Sequence, residues 1–223
     1  MSGPEDRLGL AEGGRLVLLR HGRTAWNDAG RMQGRTDVPL DATGRAQAAD
    51  AAEPVAALGP RRLLSSPLSR ALDTAAPLAE VAGLAVEQVD GLVEVGLGRW
   101  EGLTHAEARE RHGEEYLAWM RGDDVRRGGG ETYSEVASRA LAGLGGAIRA
   151  GNGAGPQEGV VVAVTHGGTA RAVVGALLGL EPESWWRLAP LGNCCWSVVV
   201  AGRRGWRLES HGVAGAGRVE FAA

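Results

Sequence analysis

Two histidines each follow a short apolar segment that reads as a buried strand. His21 follows the segment Arg15 to Leu19, with Arg20 beside it, and His166 follows the segment Val160 to Thr165. The carboxyl ends of neighbouring parallel strands meet at one edge of an α/β sheet, where such folds bind their ligands. An imidazole there can attack phosphorus, and a guanidinium can hold phosphoryl oxygens in a planar fork. The two strand ends therefore favour a site that handles phosphate.

Two further loops add charged groups to the same predicted edge. Arg70 lies one turn into a helix that follows the strand Arg62 to Ser65, and Glu94 lies just after the strand Ala85 to Val89. Each of these residues alone has an ordinary explanation, as a core histidine or a solvated charge. Because they all follow strands, we expect two histidines, two arginines and one carboxylate to converge on an anion.

Other kinds of catalytic site fit the residues poorly. The sequence has no Gly-x-Ser-x-Gly turn, which argues against a serine hydrolase. The histidines lack close ligand spacing, and guanidinium groups would repel a cation, so we expect no metal. All 24 basic residues are arginine, which excludes Schiff-base lysine and the phosphate-binding lysine of a P-loop. Phosphate recognition must therefore fall to arginine, histidine and backbone amides.

Length and composition bound the fold class and the partners. With 223 residues, of which 44% are hydrophobic, the chain predicts one domain with a sizeable core. The net charge of −3 gives no reason to expect a nucleic-acid or membrane partner. The N-terminus is unlike a signal peptide and no apolar run has the length of a membrane span, so we expect a cytoplasmic protein. Cys194 and Cys195, in the predicted strand Cys194 to Ala201, read as buried small hydrophobes.

Strand and helix signals alternate along the chain, which predicts an α/β fold with a mainly parallel sheet. We expect a tail over residues 1–14, one domain over 15–211 and a second tail over 212–223. The predicted strands are 15–19, 62–65, 85–89, 160–165, 194–201 and 205–210. The predicted helices are 43–58, capped by Asp41 or Thr43, 66–81, with Pro67 in its first turn, 104–121, 131–150 and 167–178. Residues 28–39 and 151–159 read as loops.

The strand-end residues belong to a longer series of motifs, which resembles the signature of the histidine phosphatase superfamily, also called the phosphoglycerate mutase-like family. The motifs keep the family's order from about residue 15 to residue 200. They are Arg20-His21-Gly22 with Thr24, Trp26 and Asn27; Gln33-Gly34-Arg35-Thr36-Asp37; Ser65-Ser66-Pro67-Leu68-Ser69-Arg70; Glu94 with Gly98-Arg99-Trp100-Glu101-Gly102; Gly129-Gly130-Glu131-Thr132; and Thr165-His166-Gly167-Gly168.

This resemblance implies a three-layer αβα sandwich and a covalent mechanism that needs no metal and no cofactor. It implies that His21 is the nucleophile and becomes phosphohistidine. Arg20, Arg70 and His166 would hold the phosphoryl oxygens, and Glu94 would give a proton to the leaving oxygen. The other matching positions, expected to bind phosphate or substrate, are Thr24, Asn27, Gln33, Gly34 and Gly167.

Within the family, the chain departs from the cofactor-dependent phosphoglycerate mutases. Leu97 stands where those enzymes have a substrate-binding tyrosine, and a chain without lysine lacks their substrate-contacting lysine. A phosphatase is therefore favoured over a mutase that returns phosphate to its own product. A non-catalytic phospholigand-binding protein is the third alternative, although a pure binder would need neither a nucleophile nor an acid.

The expected substrate is a small phosphomonoester of the sugar or glycerate phosphate type. Residues 31–34, 98–106 and 192–193 are similar to those of a subfamily, the actinobacterial glucosyl-3-phosphoglycerate phosphatases. The alcohol part of the substrate would be bound by residues between Trp100 and Thr132. The sequence leaves open whether the chain forms a homodimer.

Overall fold

A six-stranded sheet forms the centre of the computed structural model, which describes residues 8–151 and 158–215. Its strands are β1 (Arg15–Arg20), β2 (Pro60–Ser65), β3 (Val86–Gln88), β4 (Val160–Thr165), β5 (Trp196–Gly202) and β6 (Gly205–Val213). They are ordered β3-β2-β4-β1-β5-β6. The first four strands of that order are parallel, whereas β5 and β6 are antiparallel to their neighbours. The predicted α/β fold with a mainly parallel sheet is thereby confirmed.

Helices connect the strands, except that a turn joins β5 to β6. The described α-helices are α1 (Ala25–Asp28), α2 (Ala42–Ala56), α3 (Ser69–Ala82), α4 (His105–Arg111), α5 (Gly113–Met120), α6 (Tyr133–Ala150) and α7 (Gly167–Leu177). Short 3-10 helices cover Asp90–Leu92, Gly98–Trp100, Arg127–Gly129 and Pro182–Arg187.

Alternate residues of the central strands face two separate hydrophobic cores, as the period of two along a strand requires. Leu16 and Leu18 of β1 pack with apolar residues of α6 and α7 on one face. Val17 and Leu19 pack with apolar residues of α2 and α3 on the other. Every residue of β4 is buried, as expected for a strand in the middle of a covered parallel sheet. The result is an αβα sandwich.

The helix over the predicted range 104–121 is broken in two. His112 has φ −135° and ψ 42°, which is not helical, so α4 ends there and α5 begins after it. The apolar stripe predicted for this segment is only partly buried. Tyr116 and Trp119 pack around a buried tryptophan, but Leu117 and Met120 are exposed.

The structure defines the starts of two predicted helices, α2 and α3. Asp41, and not Thr43, caps α2, because its carboxylate accepts a hydrogen bond of 2.7 Å from the Gly44 amide. The placement of Pro67 in the first turn of α3 was wrong, because that helix begins at Ser69.

The adjacent cysteines lie before β5 rather than inside it. Cys194 has φ +54°, and the strand begins at Trp196, so the predicted extended geometry at this pair was wrong. Both cysteines are buried, and neither is disulfide-bonded within the described part of the chain. Burial raises the pKa of the Cys194 thiol to about 12, so this thiol stays protonated at neutral pH.

The packed structure extends past the predicted domain limits at both ends. Leu8 and Leu10 are buried in the core that contains Leu16, and β6 continues to Val213. The predicted tails and the predicted loop 151–159 fall partly on residues 1–7, 152–157 and 216–223, which lie outside the described residues. Where the structure describes the chain, no helix has both the length and the apolar character needed to cross a membrane.

Candidate active site

The sheet order places the two strand-end histidines next to each other. β1 and β4 are paired in parallel with Arg20 opposite Thr165, so the following residues, His21 and His166, leave the sheet side by side. Their ring centroids are 5.1 Å apart. β2 lies on the other side of β4 and leads into the helix that carries Arg70. The predicted convergence of these strand ends is confirmed.

His21 has a defined tautomer. Its Nδ1 lies 2.7 Å from the carbonyl oxygen of Gly22, and a carbonyl can only accept, so Nδ1 carries the proton. Nε2 therefore keeps its lone pair. Burial lowers the pKa of His21 well below its ordinary value, and the neighbouring His166 and Arg20 lower it further. The imidazole is thus neutral and nucleophilic at pH 7.

Gly22 is required by the packing of the backbone behind His21. A Cβ at this position would lie 2.4 Å from the carbonyl oxygen of Gly44 in α2. The Gly22 amide donates to Thr74 Oγ1 over 3.0 Å. Glycine at this position therefore allows the backbone of α2 to approach the backbone beside His21 closely.

Arg70 is fully buried and all three of its nitrogens donate hydrogen bonds. Nε donates to His166 Nδ1 over 3.2 Å, and Nη1 and Nη2 donate to the carbonyl oxygens of Thr36 and Gly34, each over 2.8 Å. Burial lowers the pKa of Arg70, but Glu94 and Asp37 oppose this effect. The guanidinium stays cationic and is held rigidly in the site.

Arg20 differs from Arg70 in having a donor without a partner. Its Nη1 donates to the carbonyl oxygen of Leu191. Within the described part of the chain, its Nε is buried and makes no hydrogen bond. A buried guanidinium nitrogen without an acceptor is costly, so this donor favours an anion as its partner.

His166 also has a defined tautomer. Because the guanidinium of Arg70 can only donate, Nδ1 of His166 is unprotonated and Nε2 carries the hydrogen, which it donates to Ser66 Oγ over 2.8 Å. Burial lowers the pKa of His166 well below its ordinary value, and Arg70 lowers it further. The ring is fully buried and both of its nitrogens contact protein groups.

The Glu94 carboxylate caps α7. It accepts hydrogen bonds from the amides of Val95, Gly168 and Thr169 over 2.9 to 3.1 Å, and from the Thr169 hydroxyl over 3.2 Å. Burial raises the pKa of Glu94, but the amide donors and the nearby Arg70 lower it by more, so the net pKa is below the ordinary value. Glu94 is therefore ionised at neutral pH.

The loop that carries Glu94 is held by Arg139 of α6. Its guanidinium donates to the carbonyl oxygens of Gly91, Val93 and Glu94 over 2.7 to 3.0 Å. Glu131 holds the other edge of the same guanidinium through both carboxylate oxygens. This network fixes the backbone of Glu94, and the sequence analysis did not identify Arg139.

A cavity of about 230 Å³ opens in front of these residues. Glu94 is its single acidic lining residue, against four arginines, so the cavity suits an anion. The predicted site residues that line it are Arg20, His21, Asn27, Gln33, Gly34, Arg70 and Glu94. His166, Thr24 and Gly167 do not line it, and Gly168 lines it in place of Gly167.

Thr24 organises the two amide side chains that face the cavity. It is fully buried, and its hydroxyl lies 3.0 Å from Gln33 Oε1 and 3.2 Å from Asn27 Oδ1. Asn193 also donates to Asn27 Oδ1, over 3.3 Å, and to the carbonyl oxygen of His21. With the oxygens of both amides engaged, the amide nitrogens of Asn27 and Gln33 remain as donors toward a ligand.

The remaining lining residues were not predicted as site residues, apart from Leu97, which stands where the mutases have a tyrosine. The others are Arg31, His105, Trp119, Arg127 and Tyr133, together with the apolar Met32 and Val95. His105, Trp119 and Arg127 come from the segment between Trp100 and Thr132, which the sequence analysis assigned to the alcohol part of the substrate. The described residues contain no cluster of three or more His, Cys, Asp or Glu that could hold a metal ion.

Comparison with known proteins agrees with this geometry. Residues 16–214 match the profile of the histidine phosphatase superfamily (branch 1). The chain is 42% identical over 192 residues to a glucosyl-3-phosphoglycerate phosphatase of Mycolicibacterium vanbaalenii, which covers 84% of each chain. It is 31% identical over 186 residues to phosphoserine phosphatase 1 of Hydrogenobacter thermophilus, which covers 83% of this chain and 85% of that one.

Comparison with a solved structure indicates the same family. The mycobacterial glucosyl-3-phosphoglycerate phosphatase in complex with VO3 superimposes with a TM-score of 0.81 at 39% identity, covering 90% of this chain and 98% of the other. Sequence motifs, sheet order and these relatives lead to one assignment. The chain belongs to the histidine phosphatase superfamily.

Proposed function

We propose that the chain hydrolyses a small phosphomonoester through a phosphohistidine on His21, without a metal ion. The observation that carries this proposal is the contact of 2.7 Å between Nδ1 of His21 and the carbonyl oxygen of Gly22. Because a carbonyl can only accept, this contact assigns the proton to Nδ1 and leaves Nε2 unprotonated. A neutral imidazole that is buried beside two guanidinium groups is prepared to attack an electrophilic phosphorus.

In the first step, Nε2 of His21 attacks phosphorus, an N–P bond forms, and the P–O bond to the alcohol breaks. Arg20, through its unpartnered Nε, and Arg70 stabilise the negative charge on the transferring phosphoryl group. A proton passes from the Glu94 carboxyl group to the departing oxygen, which leaves as an alcohol. When Nε2 bonds to phosphorus, the ring becomes positively charged, and resonance spreads this charge to Nδ1. The hydrogen bond from Nδ1 to the carbonyl oxygen of Gly22 then stabilises it.

Glu94 must gain a proton before it can act as an acid, because its amide donors keep it ionised. A bound phosphoryl dianion would raise its pKa through charge repulsion, and a monoanionic ester could bring the proton with it. In the second step, water attacks phosphorus and gives its proton to Glu94, the N–P bond breaks, and neutral His21 and inorganic phosphate result.

The substrate that we propose is a phosphorylated hydroxy acid of the glucosyl-3-phosphoglycerate type. This proposal is supported by the relatives at about 40% identity that carry that name. Phosphoserine, named in a more distant relative, also combines a phosphomonoester with a carboxylate. A mutase is not favoured, because Leu97 lines the cavity with an apolar side chain where the mutases have a tyrosine. Cytoplasmic localisation and homodimer formation stay predictions.

The decisive experiment measures inorganic phosphate released from a panel of phosphomonoesters that includes glucosyl-3-phosphoglycerate, with EDTA present. We expect turnover by the native chain and a loss of about 10³-fold or more in His21→Ala. Acid-labile label from a radioactive ester should map to His21. Label on Ser65 or Ser66, or a loss of turnover with EDTA that zinc or magnesium restores, would refute the mechanism.

A further inference from the structure

Arg127 is a buried cation that the phosphoryl-transfer steps do not use. Only 6% of the residue is exposed, and it lines the same cavity as His21. It lies in the 3-10 helix Arg127–Gly129, whereas Arg20 is the last residue of β1 and Arg70 lies in the first turn of α3. Arginine is rarely buried unless an anion or another acceptor compensates its charge, so this position calls for an explanation.

Aromatic rings form the surroundings of this guanidinium. Its central carbon lies 4.4 Å from the ring centroid of Tyr133 and 5.7 Å from that of Trp119. Its Nη1 lies 3.5 Å from the Tyr133 hydroxyl, at the limit of a hydrogen bond. Stacking on aromatic faces holds the plane of the guanidinium but satisfies none of its in-plane donors.

The second terminal nitrogen of Arg127 has no acceptor. Within the described part of the chain, Nη2 is buried and makes no hydrogen bond, and none of the ion pairs there involves Arg127. Arg31, which also lines the cavity, is already engaged, because its Nη1 donates to Gly102 and to Glu107. Arg127 therefore supplies a positive charge that no described acidic group pairs with.

The ligand group that matches one such charge is a carboxylate. A planar guanidinium donates two parallel hydrogen bonds to a carboxylate, and one positive charge balances its single negative charge. A second phosphoryl group would carry nearly two negative charges. With Arg31 already paired to a carboxylate, that charge would be left partly uncompensated.

We propose that Arg127 binds the carboxylate of a phosphorylated hydroxy acid through Nη2 and so selects such esters over those without a carboxylate. This inference rests on the proposed phosphatase function and adds the residue that distinguishes substrates. The phosphoryl group is held at the strand ends and the carboxylate at Arg127, and both sets of residues line the same cavity, so one substrate can contact both.

The test compares two substrates that differ in this group alone, 3-phosphoglycerate and glycerol 3-phosphate. We expect Arg127→Met to lower kcat/KM for 3-phosphoglycerate about 10- to 100-fold, mainly through KM, because a charged hydrogen bond is lost. For glycerol 3-phosphate the change should stay below about threefold. Arg127→Lys, which restores the charge but not the fork, should recover part of the loss.

Arg126→Met is the matched control. Arg126 precedes Arg127 in the chain, but it is exposed and pairs with Glu135. Its replacement should change both substrates equally and by less than about threefold. Equal losses on the two substrates in Arg127→Met, or no loss on either, would overturn the proposal. A larger loss on fructose 1,6-bisphosphate than on 3-phosphoglycerate would instead indicate a second phosphate subsite and also overturn it.

A binding measurement separates this inference from the proposed reaction. In His21→Ala, calorimetry should show tighter binding of 3-phosphoglycerate than of glycerol 3-phosphate, and Arg127→Met in the same background should remove that difference. If the native chain hydrolyses none of these esters, the proposed function fails, while the binding difference still tests the carboxylate subsite. If turnover is normal and no binding difference exists, only the subsite fails.

Discussion

Arg70 Nε donates a hydrogen bond of 3.2 Å to Nδ1 of His166, and this contact fixes the proton of the imidazole on the other nitrogen. That nitrogen, Nε2, then donates to Ser66 Oγ over 2.8 Å. The second histidine of the site is thus oriented by Ser66, directly after β2, and by Arg70 of α3, and it contacts the buried arginine that lines the cavity.

Replacing Ser66 by alanine should leave the His166 ring less firmly oriented. The buried Nε2–H of His166 would lose its acceptor, which costs about 1–3 kcal/mol. We expect kcat/KM to fall about tenfold or more and the imidazole ¹⁵N shifts of His166 to change. Ser65→Ala is the control, because the neighbouring Ser65 is equally buried but donates to the Ser66 carbonyl. An equal loss in both variants would mean that Ser66 contributes only to packing.

Glu94→Gln should be sensitive to the leaving group. An alkoxide needs a proton and nitrophenolate hardly does, so turnover of glycerol 3-phosphate should fall about 10²-fold or more and that of p-nitrophenyl phosphate much less. Thermal unfolding should also show a small loss of stability in this variant, since the carboxylate caps α7.

Glu131→Gln provides the comparison for this prediction. Glu131 also accepts a backbone amide, that of Gly96, but it does not line the cavity. Its loss should affect both substrates alike. The same uniform loss in Glu94→Gln would assign Glu94 a structural role and leave the proton donor unidentified.

The pH dependence of kcat/KM should reflect a neutral His21. Because burial holds its pKa well below the ordinary value, about 6.5, activity should not decline through protonation of His21 until the pH is clearly below 6.5. The measurement is a kcat/KM profile from pH 4 to 9, with the ionisation of the ester, near pH 6, determined separately by ³¹P titration. An enzyme pKa at or above 6.5 on the acidic limb would contradict this prediction.

The stability of the chain should also decrease at acidic pH. His21 and His166 have folded-state pKa values below their unfolded values, so below about pH 6.5 the unfolded chain binds protons that the folded chain does not. The stability that the two neutral histidines contribute is therefore fully present above about pH 6.5. As the pH drops below this value, the free energy of unfolding should decrease. Denaturant titrations at pH 5.5 and 7.5 measure this difference.

Gly22→Ala should destabilise the chain although it adds only a methyl group. The new Cβ would meet the Gly44 carbonyl oxygen at 2.4 Å, and neither backbone can move without displacing β1 or α2. We expect a loss of about 1–3 kcal/mol and a strong loss of activity, since His21 is adjacent. Gly146→Ala, inside α6 with no atom within 4 Å of the added Cβ, should be neutral or stabilising. Similar unfolding midpoints for the two variants would disprove the steric argument.

The fold class and the centre of the site could be predicted from the amino-acid sequence, because both depend on local signals. The fully apolar segment of β4 identifies a strand that is covered on both faces, and the residues after parallel strands must meet at one edge. His21, Arg20, Arg70 and His166 could therefore be predicted together. Helix limits and the geometry at Cys194 differ from the predictions, since they depend on capping contacts and on a left-handed residue.

The contributions of distant parts of the chain to the site could not be predicted in this way, because they depend on how the chain packs. Three contacts join segments that are far apart in the sequence. Glu94 caps α7, Arg139 holds the loop of Glu94, and Arg127 is buried against Tyr133. In sequence, Arg126 and Arg127 are equivalent neighbours in an arginine pair. The physical reason for their difference is desolvation: packing removes one guanidinium from water and leaves its neighbour exposed, and no pattern along the chain encodes which one it will be.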